Sequence, residues 1–340
     1  MRDLHRIFSL PLFAACLLAA TAREAAPAAY LGAIVTDAES GRVIFQDNAD
    51  AITPPASMTK LMTFAVLHDK LASGALTLQT PVTANAADAK MGGTQVWLKE
   101  KETFPIEELL YAMMIQSAND AAHALARTAA GSTEAFVELM NAKARSLGMT
   151  HTTFRTPHGL PPPDRHKSEG DLSTPRDYAI LSRYLLLETD VTKYTSIRSR
   201  PFGANRPQGA VVMNNHNHLL GKVAGLDGLK TGFTNGASFC LAATAERNGR
   251  RVIVVAMGSP NAKTRDLKVA ELIERGFAAL PPEVSVKTGR PAAAPAPAPA
   301  ANPSTEAIPT VSTDKSVPAA SSPATADEPS VTFRVIPPNK

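Results

Sequence analysis

Short, mostly apolar runs bounded by polar and turn-forming residues lie near both ends of the region that runs from Tyr30 to about Leu280. Runs of this length are typical of buried strands. The turn-forming tetrad Ala38-Glu39-Ser40-Gly41 separates the first two segments, and Asn248-Gly249 separates the last two, so two β-hairpins are predicted. The predicted strands are residues 31–37, 42–48, 238–245 and 251–257.

Between these strands apolar residues recur every three or four positions, as at Leu61, Phe64, Leu67 and Leu71, which indicates amphipathic helices. The predicted helices are residues 57–71, 105–116, 132–147, one that opens at Thr174-Pro175, and 261–280. Strands at both ends with helices between them favour an α+β fold. In that fold the two ends of the chain form one antiparallel sheet, and a helical lobe lies beside it.

The composition indicates a globular protein and gives no sign of nucleic-acid binding. Hydrophobic residues make up 44% of the 340 residues, enough for a sizeable core, and the formal net charge is +4. Because the chain has no run of Lys and Arg with interleaved aromatic residues, we expect no nucleic-acid partner.

The first 22 residues have the pattern of a secretory signal peptide. Arg2 and Arg6 precede a mostly apolar run over residues 7–20, which is too short to span a bilayer, and Ala20-Thr21-Ala22 offers a cleavage site. We therefore expect an exported protein, periplasmic or otherwise extracytoplasmic and soluble or loosely wall-associated, with no transmembrane anchor after cleavage. Cys240 would then be the one cysteine of the mature chain, which excludes an intramolecular disulfide.

The composition changes near the C-terminus, where Ala-Pro repeats over residues 292–301 lead into a Ser/Thr/Pro/Ala-rich stretch. Such a sequence buries too little apolar surface to offset the entropy of ordering it. The chain is thus divided into a signal peptide (1–22), a folded domain (29–280) and a Pro/Ala-rich disordered tail (281–340).

Three short motifs occur in order: Ser57-Met58-Thr59-Lys60, Ser117-Ala118-Asn119 and Lys230-Thr231-Gly232. Each has a second copy, at Ser312, Ser259 and Lys287 respectively, so no motif is specific alone. The predicted secondary structure around each copy distinguishes the first set from the second. The second copies fall in the tail, at its border or at a helix cap, whereas Ser57 opens a predicted helix, Ser117 ends one and Lys230 precedes a predicted strand.

The spacing of these residues suits acyl transfer to a serine. Three positions on a helix place Lys60 one turn from Ser57, on the same face. Burial and the second cation, Lys230, would favour the uncharged Lys60 amine that can accept the Ser57 proton.

The remaining motif residues have supporting roles in this interpretation. Ser117 could relay a proton to the leaving amine, and Asn119 could hold both Lys60 and the substrate amide. Gly232 lacks a Cβ, so that a peptide could pair closely with its strand. The backbone N–H groups of Ser57 and Phe233 are the expected oxyanion donors.

With these motifs, the chain resembles the low-molecular-mass penicillin-binding proteins, specifically the serine-type D-alanyl-D-alanine carboxypeptidases. Their extended motifs are similar to Pro55–Leu61, Gln116–Asp120, Asp227–Gly232, His158-Gly159-Leu160 and Ser173–Asp177. The resemblance implies a five-stranded antiparallel sheet flanked by helices, with a cleft beside a helical lobe. It further implies removal of the terminal D-Ala from peptidoglycan stem peptides, with β-lactams as covalent inhibitors and no cofactor.

The resemblance also implies that Thr231 binds the terminal carboxylate of the substrate and that Arg265 lies near it. A solvated arginine on an ordinary helix is the alternative for Arg265. His158 is expected to be structural and His216 could line the cleft. Because no carboxylate or cysteine is grouped with His216 and His218, we expect no metal site.

The chain departs from its relatives in two respects: Phe233 stands where many carry histidine, and the tail has no room for their second, β-rich domain and anchoring helix. We therefore expect a soluble or loosely wall-associated enzyme with one folded domain. A D-Ala-D-Ala endopeptidase remains an alternative, as do a class A β-lactamase and a non-hydrolytic β-lactam sensor. Glu169 only superficially imitates the β-lactamase glutamate, because the helix starting at Thr174 follows too closely.

Overall fold

The computed structural model describes residues 28–161 and 169–280. The predicted signal peptide (1–22) and the predicted tail (281–340) lie outside the described residues and stay predictions. No helix in the described part of the chain combines the length and apolar character needed to cross a membrane.

A five-stranded antiparallel sheet is built from the two ends of the described chain, as the sequence pattern predicts. Its strands are β1 (Gly32–Asp37), β2 (Val43–Asp47), β7 (Leu226–Thr234), β8 (Ser238–Arg247) and β9 (Arg250–Ser259), and they lie in the order β2-β1-β9-β8-β7. Apolar residues of β9 are fully buried because helices cover both faces of the sheet. Strand β7 forms one edge.

Two small two-stranded sheets, which the sequence analysis did not predict, flank the helical lobe. Their strands are β3 (Pro81–Thr83) with β4 (Thr103–Pro105), and β5 (Ser199–Phe202) with β6 (Val211–Asn214). Each strand has only three or four residues, too few for an alternating pattern to stand out.

The helices α1 to α8 form the lobe and cover the sheet. They are α1 (Lys60–Ala72), α2 (Ala86–Ala89), α3 (Ile106–Tyr111), α4 (Asn119–Ala130), α5 (Thr133–Ser146), α6 (Pro175–Glu188), α7 (Thr192–Thr195) and α8 (Ala262–Ala279). The Thr174 side chain caps α6 by accepting a hydrogen bond from the Asp177 amide, with Pro175 in the first turn as predicted. Helix α1 is the central helix, and its residues from Lys60 to Leu67 are all buried.

Two sequence predictions about these elements are wrong in detail. Ser57 does not open an α-helix: it lies in a 3₁₀ turn, Ala56–Thr59, and the α-helix begins at Lys60. Lys230 does not precede a strand but lies within β7, paired with Ala242 of β8. The prediction started this strand too late because Asp227, Gly228 and Lys230 interrupt its apolar pattern.

Candidate active site

Ser57 is held at the surface of the core by an irregular backbone. Ala56 adopts φ +51°, a left-handed conformation that is unfavourable for a residue with a side chain, and the Met58 amide donates to the Pro55 carbonyl at 3.2 Å. The turn leads directly into α1, so the side chain of Lys60 returns to the Ser57 hydroxyl, as the three-residue spacing predicts.

Lys60 is fully buried, and in the described part of the chain its amine has three polar neighbours. Its Nζ lies 2.6 Å from Asn119 Oδ1, 2.8 Å from the His158 carbonyl oxygen and 3.1 Å from Ser57 Oγ. The first two neighbours can only accept hydrogen bonds, so they take up the two N–H groups of an uncharged amine. The remaining lone pair then faces the Ser57 hydroxyl.

The surroundings of Lys60 favour this uncharged form. Burial holds the pKa of Lys60 well below its ordinary value, and the positive charge of Lys230 lowers that pKa further. The carboxylates of Asp171 and Asp120 oppose the shift by favouring the ammonium. Desolvation is the largest contribution, so the lowered pKa prevails.

Lys230 is the second buried amine of the site. Burial, with a smaller contribution from the Arg265 guanidinium, lowers the pKa of Lys230 to about 7. Its Nζ donates a hydrogen bond to the Thr231 carbonyl at 3.2 Å. Lys230 is therefore substantially charged at and below neutral pH, where it can lower the pKa of Lys60 and attract an anion.

Ser117 and Asn119 come from a second irregular segment. Helix α3 widens into a π-helical turn, Ala112–Gln116, and Ser117 ends it in the left-handed region at φ +65°. Asn119 opens α4, and its side-chain amide donates to the Gly92 carbonyl at 2.8 Å. That bond leaves the Asn119 carbonyl oxygen aimed at Lys60.

Gly232 allows β7 to approach the Ser57 turn closely. A Cβ on Gly232 would lie 2.5 Å from the Pro55 carbonyl oxygen and 3.2 Å from the Ala56 Cβ. The missing Cβ was predicted to allow close pairing with a substrate, but packing against Pro55 and Ala56 already requires glycine there.

A cleft of about 380 Å³ opens where the Ser57 turn, the Ser117 turn, β7 and α8 meet. The predicted site residues that line it are Ser57, Ser117, Thr231, Gly232, Phe233 and Arg265. Lys60, Asn119 and Lys230 are buried beside it. Lys60 contacts Ser57 and Asn119, and Lys230 contacts Thr231. The structure thus brings all nine predicted site residues to one place.

Arg265 is 3% exposed, so the alternative of a solvated helix arginine is wrong. Its guanidinium donates to Asp266 Oδ1 at 2.7 Å. His216 lines the cleft, where burial and the charge of Lys230 lower its pKa to about 4. Phe233 is half exposed and stacks on Phe239 with ring centroids 4.3 Å apart, forming an apolar wall.

Sequence reasoning missed two contributors to the site. Thr94 lines the cleft from a loop, and its carbonyl accepts a hydrogen bond from the Asn119 amide at 2.8 Å. His158 was expected to be structural, and its buried ring does accept a hydrogen bond from the Leu160 amide. Its carbonyl, however, holds Lys60, and a backbone carbonyl has no signature in the sequence.

The fold and the site define a class of protein, the low-molecular-mass penicillin-binding proteins. Penicillin-binding protein D2 from Listeria monocytogenes in its ampicillin-bound form superposes with a TM-score of 0.65 and 31% sequence identity, over 73% of this chain and 97% of that one. The carboxypeptidase DacD from Francisella tularensis superposes with a TM-score of 0.68 and 26% sequence identity, over 74% of this chain and 72% of that one.

The D-alanyl-D-alanine carboxypeptidase family, peptidase family S11, matches residues 19–261, and the chain belongs to that family. It is 34% identical to the carboxypeptidase DacF of Bacillus subtilis over 72% of this chain, and 35% identical to DacC of Escherichia coli over 78%. The chain spans 61% and 66% of the length of these two relatives. Both the resemblance and the α+β fold predicted from the sequence are confirmed.

Substitution of Gly159 tests how closely the 158–159 peptide packs on the Ser57 turn. The φ of Gly159 is +88°, and a Cβ there would overlap the Ala56 carbonyl oxygen. Gly131 has a similar φ of +82° with open space around it, so Gly131→Ala isolates the conformational cost, about 1–2 kcal/mol. We expect Gly159→Ala to lower the free energy of unfolding by clearly more than Gly131→Ala in urea titrations. Equal losses would show that the 158–159 peptide does not pack on the Ser57 turn.

Proposed function

We propose that the protein is a serine-type D-alanyl-D-alanine carboxypeptidase that removes the terminal D-Ala from peptidoglycan stem peptides. The observation that carries this proposal is the contact between the buried Lys60 amine and Ser57 Oγ beside a cleft lined by Thr231 and Arg265. A nucleophile with its base and a cationic end for a carboxylate are what a carboxypeptidase needs.

In the first step Ser57 Oγ bonds to the carbonyl carbon of the penultimate D-Ala while Lys60 takes the hydroxyl proton. The backbone N–H groups of Ser57 and Phe233 stabilise the oxyanion. The C–N bond then breaks, and the terminal D-Ala leaves as its amine receives a proton through Ser117. Water hydrolyses the ester on Ser57 in the second step and restores the free enzyme.

The substrate's terminal carboxylate is proposed to bind at Thr231, near the positive charges of Lys230 and Arg265. Burial strengthens these interactions, because few water molecules screen the charges. A peptide with a free C-terminus therefore fits the cleft. The Phe233–Phe239 wall stands next to this position, and only the backbone of Phe233 is required for the oxyanion.

The cleft argues against rapid β-lactam hydrolysis. A class A β-lactamase uses a glutamate to drive water onto the acyl-enzyme. Among the described residues that line the cleft there is no Asp or Glu. β-Lactams are thus proposed to acylate Ser57 and to stay bound, as covalent inhibitors. With the predicted signal peptide, we place the enzyme outside the cytoplasm.

The proposal is tested by incubating the full chain with a pentapeptide that ends in D-Ala-D-Ala and measuring free D-alanine. One equivalent of alanine per peptide is expected. Cleavage of cross-linked dimers alone would move the assignment to an endopeptidase, and rapid turnover of penicillin would indicate a β-lactamase. Acylation without any peptide cleavage would indicate a sensor.

Replacing the base should stop acylation. We expect Lys60→Ala to reduce the rate constant for acylation by penicillin by about 10²–10⁴-fold, because it removes the amine that lies 3.1 Å from Ser57 Oγ. Mass spectrometry with peptide mapping measures the adduct, and circular dichroism monitors folding. Lys70→Ala, on the same helix, is the matched control and should acylate at the wild-type rate. A normal rate in folded Lys60→Ala would disprove the base assignment.

The pH dependence of acylation should show the electrostatic effect of Lys230 on the pKa of Lys60. The rate falls as pH drops through the pKa of Lys60, because the ammonium cannot act as base. Lys230→Met removes a neighbouring positive charge, so the pKa of Lys60 rises and the acid limb moves to higher pH.

Rates normalised to each variant's maximum, recorded from pH 4 to 9, measure this shift. Lys222→Met, which removes an exposed lysine, should leave the acid limb in place. An acid limb that stays or moves to lower pH in Lys230→Met would contradict the proposed electrostatics.

A further inference from the structure

Asp171 is a buried carboxylate that the reaction scheme does not use. It is 4% exposed and lies just before α6, in a segment whose neighbours Leu172 and Ser173 form bridges with Thr153 and Thr53. Burying a carboxylate is costly unless its oxygens are hydrogen-bonded. The hydrogen bonds of Asp171 therefore indicate its structural role.

Both oxygens of Asp171 accept two hydrogen bonds. Oδ1 accepts from the Arg155 amide at 2.7 Å and from the Thr156 amide at 3.0 Å. Oδ2 accepts from the Thr59 hydroxyl at 2.7 Å and from the Thr156 hydroxyl at 3.1 Å. Four donors fit an ionised carboxylate, and they oppose the burial that raises the pKa of Asp171.

These donors come from two different parts of the site. Thr59 belongs to the 3₁₀ turn that carries Ser57 and immediately precedes Lys60. Arg155 and Thr156 begin the loop over residues 155–159, whose His158 carbonyl holds Lys60. Asp171 thus bonds the nucleophile's turn to the loop that orients the base.

Further hydrogen bonds at Gly159 and Pro157 also hold the 155–159 loop in place. The Gly159 amide donates to the Thr156 hydroxyl at 2.8 Å, and the Thr63 hydroxyl of α1 donates to the Pro157 carbonyl at 2.6 Å. The hydrogen bonds to Asp171 link this loop to the Ser57 turn independently of the Lys60 amine, which contacts both the His158 carbonyl and Ser57 Oγ.

We propose that Asp171 is a positioning residue, which fixes the His158 carbonyl relative to Ser57 and so keeps the free lone pair of Lys60 on the Ser57 hydroxyl. The inference rests on the proposed function of Lys60 as base. A displacement of about 1 Å in a reacting geometry can cost 10²-fold in rate, so such a link matters for acylation even though Asp171 does not line the cleft.

The charge of Asp171 has a second effect, opposite in sign. The groups that interact with this carboxylate include Lys60 of α1 and Tyr178 of α6. It favours the Lys60 ammonium, and so raises the pKa of Lys60. Removing the charge should lower that pKa, while removing the hydrogen bonds should slow acylation. A substitution that merely weakened the fold would not move the acid limb to lower pH.

The test compares Asp171→Ala with the conservative Asp171→Asn in penicillin acylation from pH 4 to 9. We expect the maximal rate constant to fall about tenfold or more in Asp171→Ala and less in Asp171→Asn, which keeps one acceptor oxygen. In both variants the acid limb should move to lower pH. Asp227→Asn, which removes a carboxylate that accepts two hydrogen bonds from Arg251, should change neither quantity.

Thr59→Val and Thr59→Ser extend the test to a substitution that keeps the carboxylate. Valine removes the hydroxyl that donates to Asp171, so the maximal rate should fall several-fold, and serine should restore it. If Asp171→Ala does not fold, the comparison of Thr59→Val with Thr59→Ser decides whether the proposal stands. A wild-type rate in Thr59→Val, or a wild-type rate and acid limb in folded Asp171→Ala, overturns the proposal.

Release of D-alanine from the pentapeptide by the wild-type protein separates this proposal from the proposed function. If the wild type releases none, the carboxypeptidase assignment fails, and the penicillin data still decide the role of Asp171. If the wild type is active and the Asp171 variants acylate normally, only the positioning role is wrong.

Discussion

The site depends on one constraint, a completely buried amine with no ionic partner in hydrogen-bonding contact among residues 28–161 and 169–280. Lys60 lies in the first turn of the central helix, and its described neighbours offer two acceptors and one hydroxyl. Desolvation makes the ammonium unfavourable there, and a nearby cation adds to the effect. A serine hydroxyl that is inert in water thereby gains a base within 3.1 Å.

The groups around that amine come from irregular backbone, which buried carboxylates hold in place. Asp120 accepts hydrogen bonds from the Val96 and Leu98 amides, in the same loop as Thr94 of the cleft. Asp171 does the same for the 155–159 loop. Left-handed Ala56 and Ser117 add local strain, which a well-packed surrounding can maintain. Rigidity of the site thus comes from polar contacts as well as from apolar packing.

Much of this architecture could be predicted from the sequence. Periodicity and turn residues identified the β1–β2 and β8–β9 hairpins and helices α5 and α8, and motif context identified Ser57, Lys60 and Ser117. The start of strand β7 was predicted too late because Lys230 is buried for a chemical purpose, which breaks the apolar pattern. The roles of Asp171 and the His158 carbonyl depend on contacts across 98 and 112 residues of sequence separation, which no local pattern records.

The protonation state of Lys60 tests the account most directly. Nitrogen-15 NMR of protein labelled at the lysine side chains distinguishes an amine from an ammonium, and the signal that disappears in Lys60→Ala assigns the residue. The account predicts an uncharged Lys60 amine in the free protein at pH 7, with a pKa well below that of the exposed lysines. An ammonium signal from Lys60 at pH 7 would contradict it.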